Sequence, residues 1–302
     1  MSDVAMATTA RESASIELLI DARPRDIGGF AVRRALPAMK RRRVGSFVFF
    51  DHMGPAVLAA GEGFDVRPHP HIGLATVTYL FDGALDHKDS LGSAQTIQPG
   101  DVNWMIAGSG IAHSERSSPE SRRAALGIHG IQTWVALPIE REDMEPRFEH
   151  HPSATIPRVE IERSTLDVIA GTAYGRASPV SVLSPTLYVH ARLEAAARVS
   201  IDVEHEERAF YVVEGAIECD GRTFPPGVLV VLRPGAKVTV GCAVPSRAML
   251  LGGASLAGER HIWWNFVSSS KERIERAKDD WRSGRFPKIP GDEVEFIPLP
   301  ER

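Results

Sequence analysis

The chain has 302 residues, enough for two domains of ordinary size that each bury a core. A hydrophobic share of 43% and a charged share of 25% are those of a soluble globular protein, and no apolar run approaches the roughly 18–20 residues of a membrane span. The formal net charge of -4 excludes the global basic field that draws proteins to nucleic acid, so neither nucleic acid nor membrane is an expected partner.

The opening MSDVAMATTARE is small and polar with no apolar core. Residues 1–13 are therefore expected to be a disordered tail rather than a secretory signal, with the cytoplasm as location. The basic run KRRR, Lys40 to Arg43, fits a solvated loop better than a nuclear address or a phosphate clamp. From here the chain runs in short bursts rich in Val, Ile, Thr and aromatic residues, bounded by Gly, Pro, Asp and Asn, as in ATVTYLFDG, GIQTWVALP, RAFYVVEG and GVLVVLRPG. That spacing predicts an all-β fold of the sandwich or barrel type. The two cysteines, Cys219 and Cys242, have no CxxC or ligand-like spacing, which leaves them as small buried hydrophobes.

The chemistry-bearing residues come in a few places. In VRPHPHIGLATVTYLFDG, His69 and His71 stand at i and i+2, so an extended segment aims both imidazoles to one side. Such a pair alone is a weak signal. GSGIAHSERS places His113 and Glu115 at the same spacing after the strand-like DVNWMIAG, and three imidazoles with one carboxylate form a set that suits Fe(II), Mn(II), Ni(II), Cu(II) or Zn(II). A rival pair, His87 and Asp89 in HKDS, reads better as hydrogen bonding within or beside the pocket. His52 and His129 each stand alone in strand-like contexts and read as hydrogen-bonded core residues. His150 and His151 lie in the charged, proline-containing stretch Arg141 to Pro157, read as the domain boundary, where nothing preorganises a metal.

The two halves repeat. YLFDG at Tyr79–Gly83 matches YVVEG at Tyr211–Gly215, and IQPGDVNWMIAG at Ile97–Gly108 matches FPPGVLVVLRPG at Phe224–Gly235. Two tandem barrels follow, over 14–145 and 146–302. The second copy keeps only His205 before YVVEG and has neither His nor Glu in AKVTVGCAVPSRAM, which favours a metal in the first barrel and none in the second. Near 270–283 a helix is predicted, with Ser269 and Glu272 as a capping box, an apolar stripe at Ile274, Ala277 and Trp281, and Gly284 as its stop.

FVFFDHMGP, HPHIGLATVTYLFDG, HKDSLG, PGDVNWMIAGSGIAHSE, GIQTWVALP and the C-terminal NFVSSSKERIERAKDDWRSGRF resemble, in order, the signatures of the pirin family of the cupin superfamily. The resemblance covers the chain from about Ile16 onward. It implies a bicupin with one metal in the N-terminal barrel and a ligand set carried over as His69, His71, His113 and Glu115, with Fe(II) favoured. Two positions depart from pattern: Ala75 stands where many pirins have a glutamate, and Asn103 where the general cupin motif has a histidine. On function the resemblance is divided. One branch implies a quercetin 2,3-dioxygenase that opens a flavonol ring with O2 and releases carbon monoxide. The other implies a non-catalytic, iron-dependent redox-sensing regulator that binds a protein partner. The enzyme reading is preferred, with a small aromatic substrate, Glu115 as proton acceptor, Trp104, Met105 and Ile106 in part as apolar walls, and a monomeric state.

Overall fold

The computed structural model describes residues 14–27, 30–124, 127–201 and 203–301; the tail expected over 1–13 lies outside the described residues. The fold is all-β, two barrels in tandem with a C-terminal helix. In the first lobe a seven-stranded antiparallel sheet has the spatial order Arg147–His151, Val102–Ile106, Leu74–Asp82, Gly127–Ala136, Phe47–Val57, Ala31–Leu36, Arg23–Asp26. Facing it is a four-stranded sheet, Asp65–His71, Ile111–Arg116, Leu85–Asp89, Ala94–Ile97.

The second lobe repeats this order. Its large sheet runs Ile16–Asp21, Val228–Leu232, Glu207–Glu214, Ser246–Gly253, Thr186–Leu193, Ser164–Ala173, Arg158–Ile161, and its small sheet runs Arg198–Ile201, Val238–Gly241, Ile217–Cys219, Arg222–Phe224. The repeat read from sequence is thus a repeat of topology. Its paired glycines do one job: Gly83 (φ +85°) and Gly215 (φ +72°) both turn through the left-handed region, and a Cβ on either would fall on a neighbouring strand, at the Gly127 carbonyl or at Pro245 and Ser246.

Sheet hydrogen bonds cross the 145/146 division expected from sequence. Ile16–Asp21 pairs with Val228–Leu232 of the second lobe, and Arg147–His151 pairs with Val102–Ile106 of the first. His150 and His151 therefore sit on an edge strand rather than in a linker, bonded to Asn103 Oδ1 (2.8 Å) and Glu149 Oε2 (3.1 Å). The two large sheets pack face to face through one apolar cluster, with Phe47, Phe50, Tyr79 and Trp104 meeting Tyr188, Tyr211, Met249 and Leu251. Each such side chain removed from water contributes about 1.5–3 kcal/mol, so the lobes are fused by their core.

The strand Leu74–Asp82 is buried on both faces, and its period of two separates two tasks. Ala75, Val77 and Tyr79 enter the core between lobes, while Thr78 points into the first barrel toward Glu115. In the second barrel the counterparts of the histidine strands, Arg198–Ile201 and Val238–Gly241, bury Val199, Ile201, Val238 and Val240, and both cysteines join that core. That barrel is filled with apolar side chains, and His205 lies outside this core, bonded to the Thr172 carbonyl at 2.8 Å.

The helix spans Lys271–Arg282, one residue later than the expected capping box allows. Ser270 is its N-cap, accepting from Arg273 N at 3.1 Å, because Ser269 is taken by the buried carboxylate of Glu142 through both its backbone N and its hydroxyl. Ile274 and Ala277 pack with Ile72, Phe266 and Phe286, which fastens the helix beside the first barrel, and Gly284 (φ +65°) follows its last turn. In the KRRR run, Arg41 pairs with Glu17 and Glu207 and Arg43 bonds two carbonyls, leaving Lys40 and Arg42 exposed. No helix among the described residues is long and apolar enough to cross a membrane.

Candidate metal centre

Antiparallel pairing sets His113 directly opposite His69, and His71 follows two residues later on the same face. The three rings are buried with centroids 4.4 to 5.0 Å apart. A nitrogen from each lies within 4.8 Å of the others, the one such group of His, Cys, Asp or Glu among the described residues.

Their hydrogen bonds decide which nitrogen is bare. His69 Nδ1 is 2.9 Å from the Arg67 carbonyl oxygen and His71 Nδ1 is 3.0 Å from that of Asn265. A carbonyl only accepts, so both rings hold their proton on Nδ1 and keep a lone pair on Nε2. His113 Nδ1 meets His87 Nδ1 at 3.4 Å, and its Nε2 is buried with no partner. An orphaned buried ring nitrogen costs about 1–3 kcal/mol, which coordination of a metal would relieve. Burial, only partly opposed by the Arg67 bond, depresses the His69 pKa to about 4. Burial and the neighbouring imidazoles hold His71 and His113 well below their ordinary value. Uncharged imidazoles are what a metal requires, so the residues present fit one.

Glu115 follows His113 by two residues across a β-bulge and lines the same cavity as His69 and His71. Its carboxylate stands apart from the three-nitrogen group, 3.0 Å from Thr78 Oγ1. Burial raises its pKa, opposed by hydrogen bonds from Thr78 and Gln132.

The cavity, about 480 Å³, is walled by Phe49, Met53, Phe64, Trp134, Ile262, Trp264 and Ile297. Phe49 and Trp134 stack at 3.9 Å, Arg34 lies 4.3 Å above Phe49, and Asp51 grips Arg34 through two bonds of 2.7 and 2.8 Å. FVFFDHMGP thus supplies Phe49, Asp51 and Met53 at the period of a strand. The walls expected from Trp104, Met105 and Ile106 are absent: Trp104 and Ile106 face the other lobe, and Met105 packs behind Trp134. Ala75 also points away from the site, into the core between lobes, so its small size does not widen the cavity.

Asn265, Ile262 and Trp264 come from the hairpin His261–Ser268 and Ile297 from the C-terminal segment, which is held by its N–H to the Pro68 carbonyl at 2.8 Å. The similarity of NFVSSSKERIERAKDDWRSGRF was the available signal for Asn265, and none marked Ile297. His52 and His129, read as separate, are a bonded pair, Nε2 to Nε2 at 2.8 Å, and His52 Nδ1 also meets Tyr211 Oη of the second lobe at 3.0 Å. His87 and Asp89 lie beside the site, His87 Nε2 being 3.0 Å from Asp89 Oδ2. Burial would raise the Asp89 carboxyl, yet hydrogen bonds from His87 and Ser93 hold it below its ordinary value.

Residues 29–135 match the family model described as Pirin, and residues 188–287 the one described as Pirin C-terminal cupin domain. A Caulobacter vibrioides pirin-like protein is 50% identical over 291 residues, covering 95% of this chain and 100% of the relative. A crystal structure of quercetin 2,3-dioxygenase from Acinetobacter baumannii superposes with a TM-score of 0.87 at 33% identity, covering 94% of this chain and 96% of that one. The fold is also that of an Escherichia coli pirin solved with nickel(II), TM-score 0.63 at 19% identity, covering 79% and 99%. With paired barrels, a histidine triad in the first and sequence identity along nearly its whole length, the chain belongs to the pirin family.

Proposed function

We propose that the protein is a mononuclear metal-dependent oxygenase of the quercetin 2,3-dioxygenase type, acting with O2 on a flavonol or a similar planar aromatic molecule. His69, His71, His113 and Glu115 are its ligands in this reading, with Fe(II) preferred among the divalent metals that suit such donors. The observation that carries it is a group of three buried imidazoles, two of which line, together with a buried carboxyl, a cavity with an aromatic wall.

A bound metal would supply Lewis acidity, lowering the pKa of a hydroxyl brought to it. The rest falls to the chain's own residues. Glu115, with its pKa raised by burial and its Oε1 fixed by Thr78, is suited to take the proton of the flavonol 3-hydroxyl. Trp134 and Phe49 offer a flat apolar face, and Ile262, Trp264 and Ile297 restrict water at the cavity wall. A cytoplasmic monomer completes the proposal.

The test begins with ligand loss. His71→Ala is expected to lose most bound metal and all turnover while unfolding at a temperature close to that of the parent apo-protein; full metal occupancy in this variant would overturn the assignment. Protein reconstituted anaerobically with Fe(II), Mn(II), Ni(II) or Cu(II) is then mixed with quercetin under O2. Loss of flavonol absorbance with release of carbon monoxide is expected. Neither change with any metal would replace the enzyme by an iron-dependent regulator that binds a protein partner.

A further inference from the structure

His87 and Asp89 do not line the cavity, yet both are buried, Asp89 completely. The strand Leu85–Asp89 pairs with the ligand strand Ile111–Arg116 so that Asp89 lies opposite His113 and His87 opposite Glu115. His87 Nε2 is 3.0 Å from Asp89 Oδ2, and its Nδ1 is 3.4 Å from His113 Nδ1. The His87 ring is held flat against Phe148, centroids 4.4 Å apart at 11°. Oδ1 of Asp89 is occupied separately, accepting from Leu91 N and Ser93 N at 2.9 and 3.0 Å.

We propose that Asp89 and His87 are positioning residues for His113: a one-way hydrogen-bonded chain that fixes its tautomer and so presents a bare Nε2 to the metal. This rests on the metal-site reading above. The direction of the chain follows from its end. A carboxylate only accepts, so a neutral His87 carries its one proton on Nε2 and leaves Nδ1 bare. That bare Nδ1 requires the proton of His113 to sit on Nδ1, which frees His113 Nε2, the atom found buried without a partner. His69 and His71 obtain the same tautomer from carbonyl oxygens; His113 obtains it through two side chains.

Asp89→Asn tests this with little disturbance of the turn. The Asn oxygen can keep the bonds from Leu91 and Ser93, while its NH2 donates to His87 Nε2. His87 must then protonate Nδ1, which forces His113 to move its proton to Nε2, where it blocks the metal. Ring-nitrogen NMR of the apo-protein reads the tautomers directly, and nickel(II) affinity is measured by competition with a chelator. The parent is expected to show His113 protonated on Nδ1. D89N is expected to show it on Nε2, with nickel affinity lower by about ten- to a hundred-fold. His87→Phe, which keeps the stack on Phe148 and removes the acceptor, should give a similar loss.

His113 protonated on Nε2 in the parent apo-protein overturns the proposal whatever the variants do. So does an unchanged Nδ1–H signal, or nickel affinity within about twofold of the parent, in either folded variant. Failure of the parent itself to bind nickel(II), with the NMR signature intact, counts against the metal site and leaves the hydrogen-bonded chain standing.

Discussion

At the scale of single residues, the centre is defined by which nitrogen of each histidine is bare, and spacing alone does not reveal that. His69 and His71 were legible as a chelating pair because i, i+2 geometry is local. Their tautomers depend on the Arg67 and Asn265 carbonyls, the second 194 residues away in sequence. Glu115 carries the sharpest single-residue prediction. Glu115→Gln removes the proposed proton acceptor while leaving an oxygen for the Thr78 hydroxyl, so turnover of quercetin by the metal-loaded protein is expected to fall by about 10²-fold or more. A steady-state rate within a few-fold of the parent would take the base role from this residue. Ala75, where many pirins have a glutamate, is buried in the core between lobes, and Asn103, where the general cupin motif has a histidine, bonds His150.

At the scale of elements, the repeat was legible because turn chemistry is local: an acidic residue and a glycine end Leu74–Asp82 and Glu207–Glu214 alike. The physical demand behind the match is the left-handed φ and the approach of the adjoining strand. Gly83→Ala and Gly215→Ala should each destabilise the protein by more than Gly221→Ala does, since Gly221 (φ +70°) has the same backbone but open space around it. The backbone strain common to all three is about 1–3 kcal/mol, and the clash adds to it in the first two only. Chemical denaturation of the three variants checks the order. The capping box was misplaced by one residue for an equally physical reason: Glu142, paired with Arg260 at 2.8 Å, binds Ser269 from outside the helix. No local pattern contains that partner.

At the scale of the whole molecule, the seam between lobes is a buried histidine and tyrosine network. His52 bonds Tyr211 and His129, and His190 bonds Tyr79 at 2.9 Å, each crossing or lining the fused core. Burial first, then Arg33, His129 and Arg247, depresses the His52 pKa to about 2; burial also lowers His129 and holds His190 well below its ordinary value. In the unfolded chain these groups titrate near 6.5. Below that pH the unfolded state binds protons that the folded state refuses, so stability falls as pH drops from about 6.5 toward the folded pKa values. The limiting slope is about 1.4 kcal/mol per pH unit for each such histidine. Asp51 and Glu115, whose pKa values burial raises, act in the opposite sense at the acid end. Urea unfolding of the apo-protein between pH 7.5 and 5 should therefore show a steady loss of stability, made shallower by His52→Gln. A flat profile in the parent would refute the buried, uncharged seam.

By itself the sequence determined that the chain is all-β, that it is a tandem pair, and that one copy alone carries histidines suited to a metal. Strand period and turn residues act over a few positions, so a linear reading reaches them. The tertiary structure decided what depends on register and sheet packing: that His113 faces His69, that His52 joins His129, that Ala75 turns toward the other lobe, and that Phe49, Trp134 and Ile297 wall the cavity in place of Trp104. A shift of one residue in any of these strands would send its side chains to the opposite face, and only the packing of the two large sheets against each other selects which face becomes core and which becomes site.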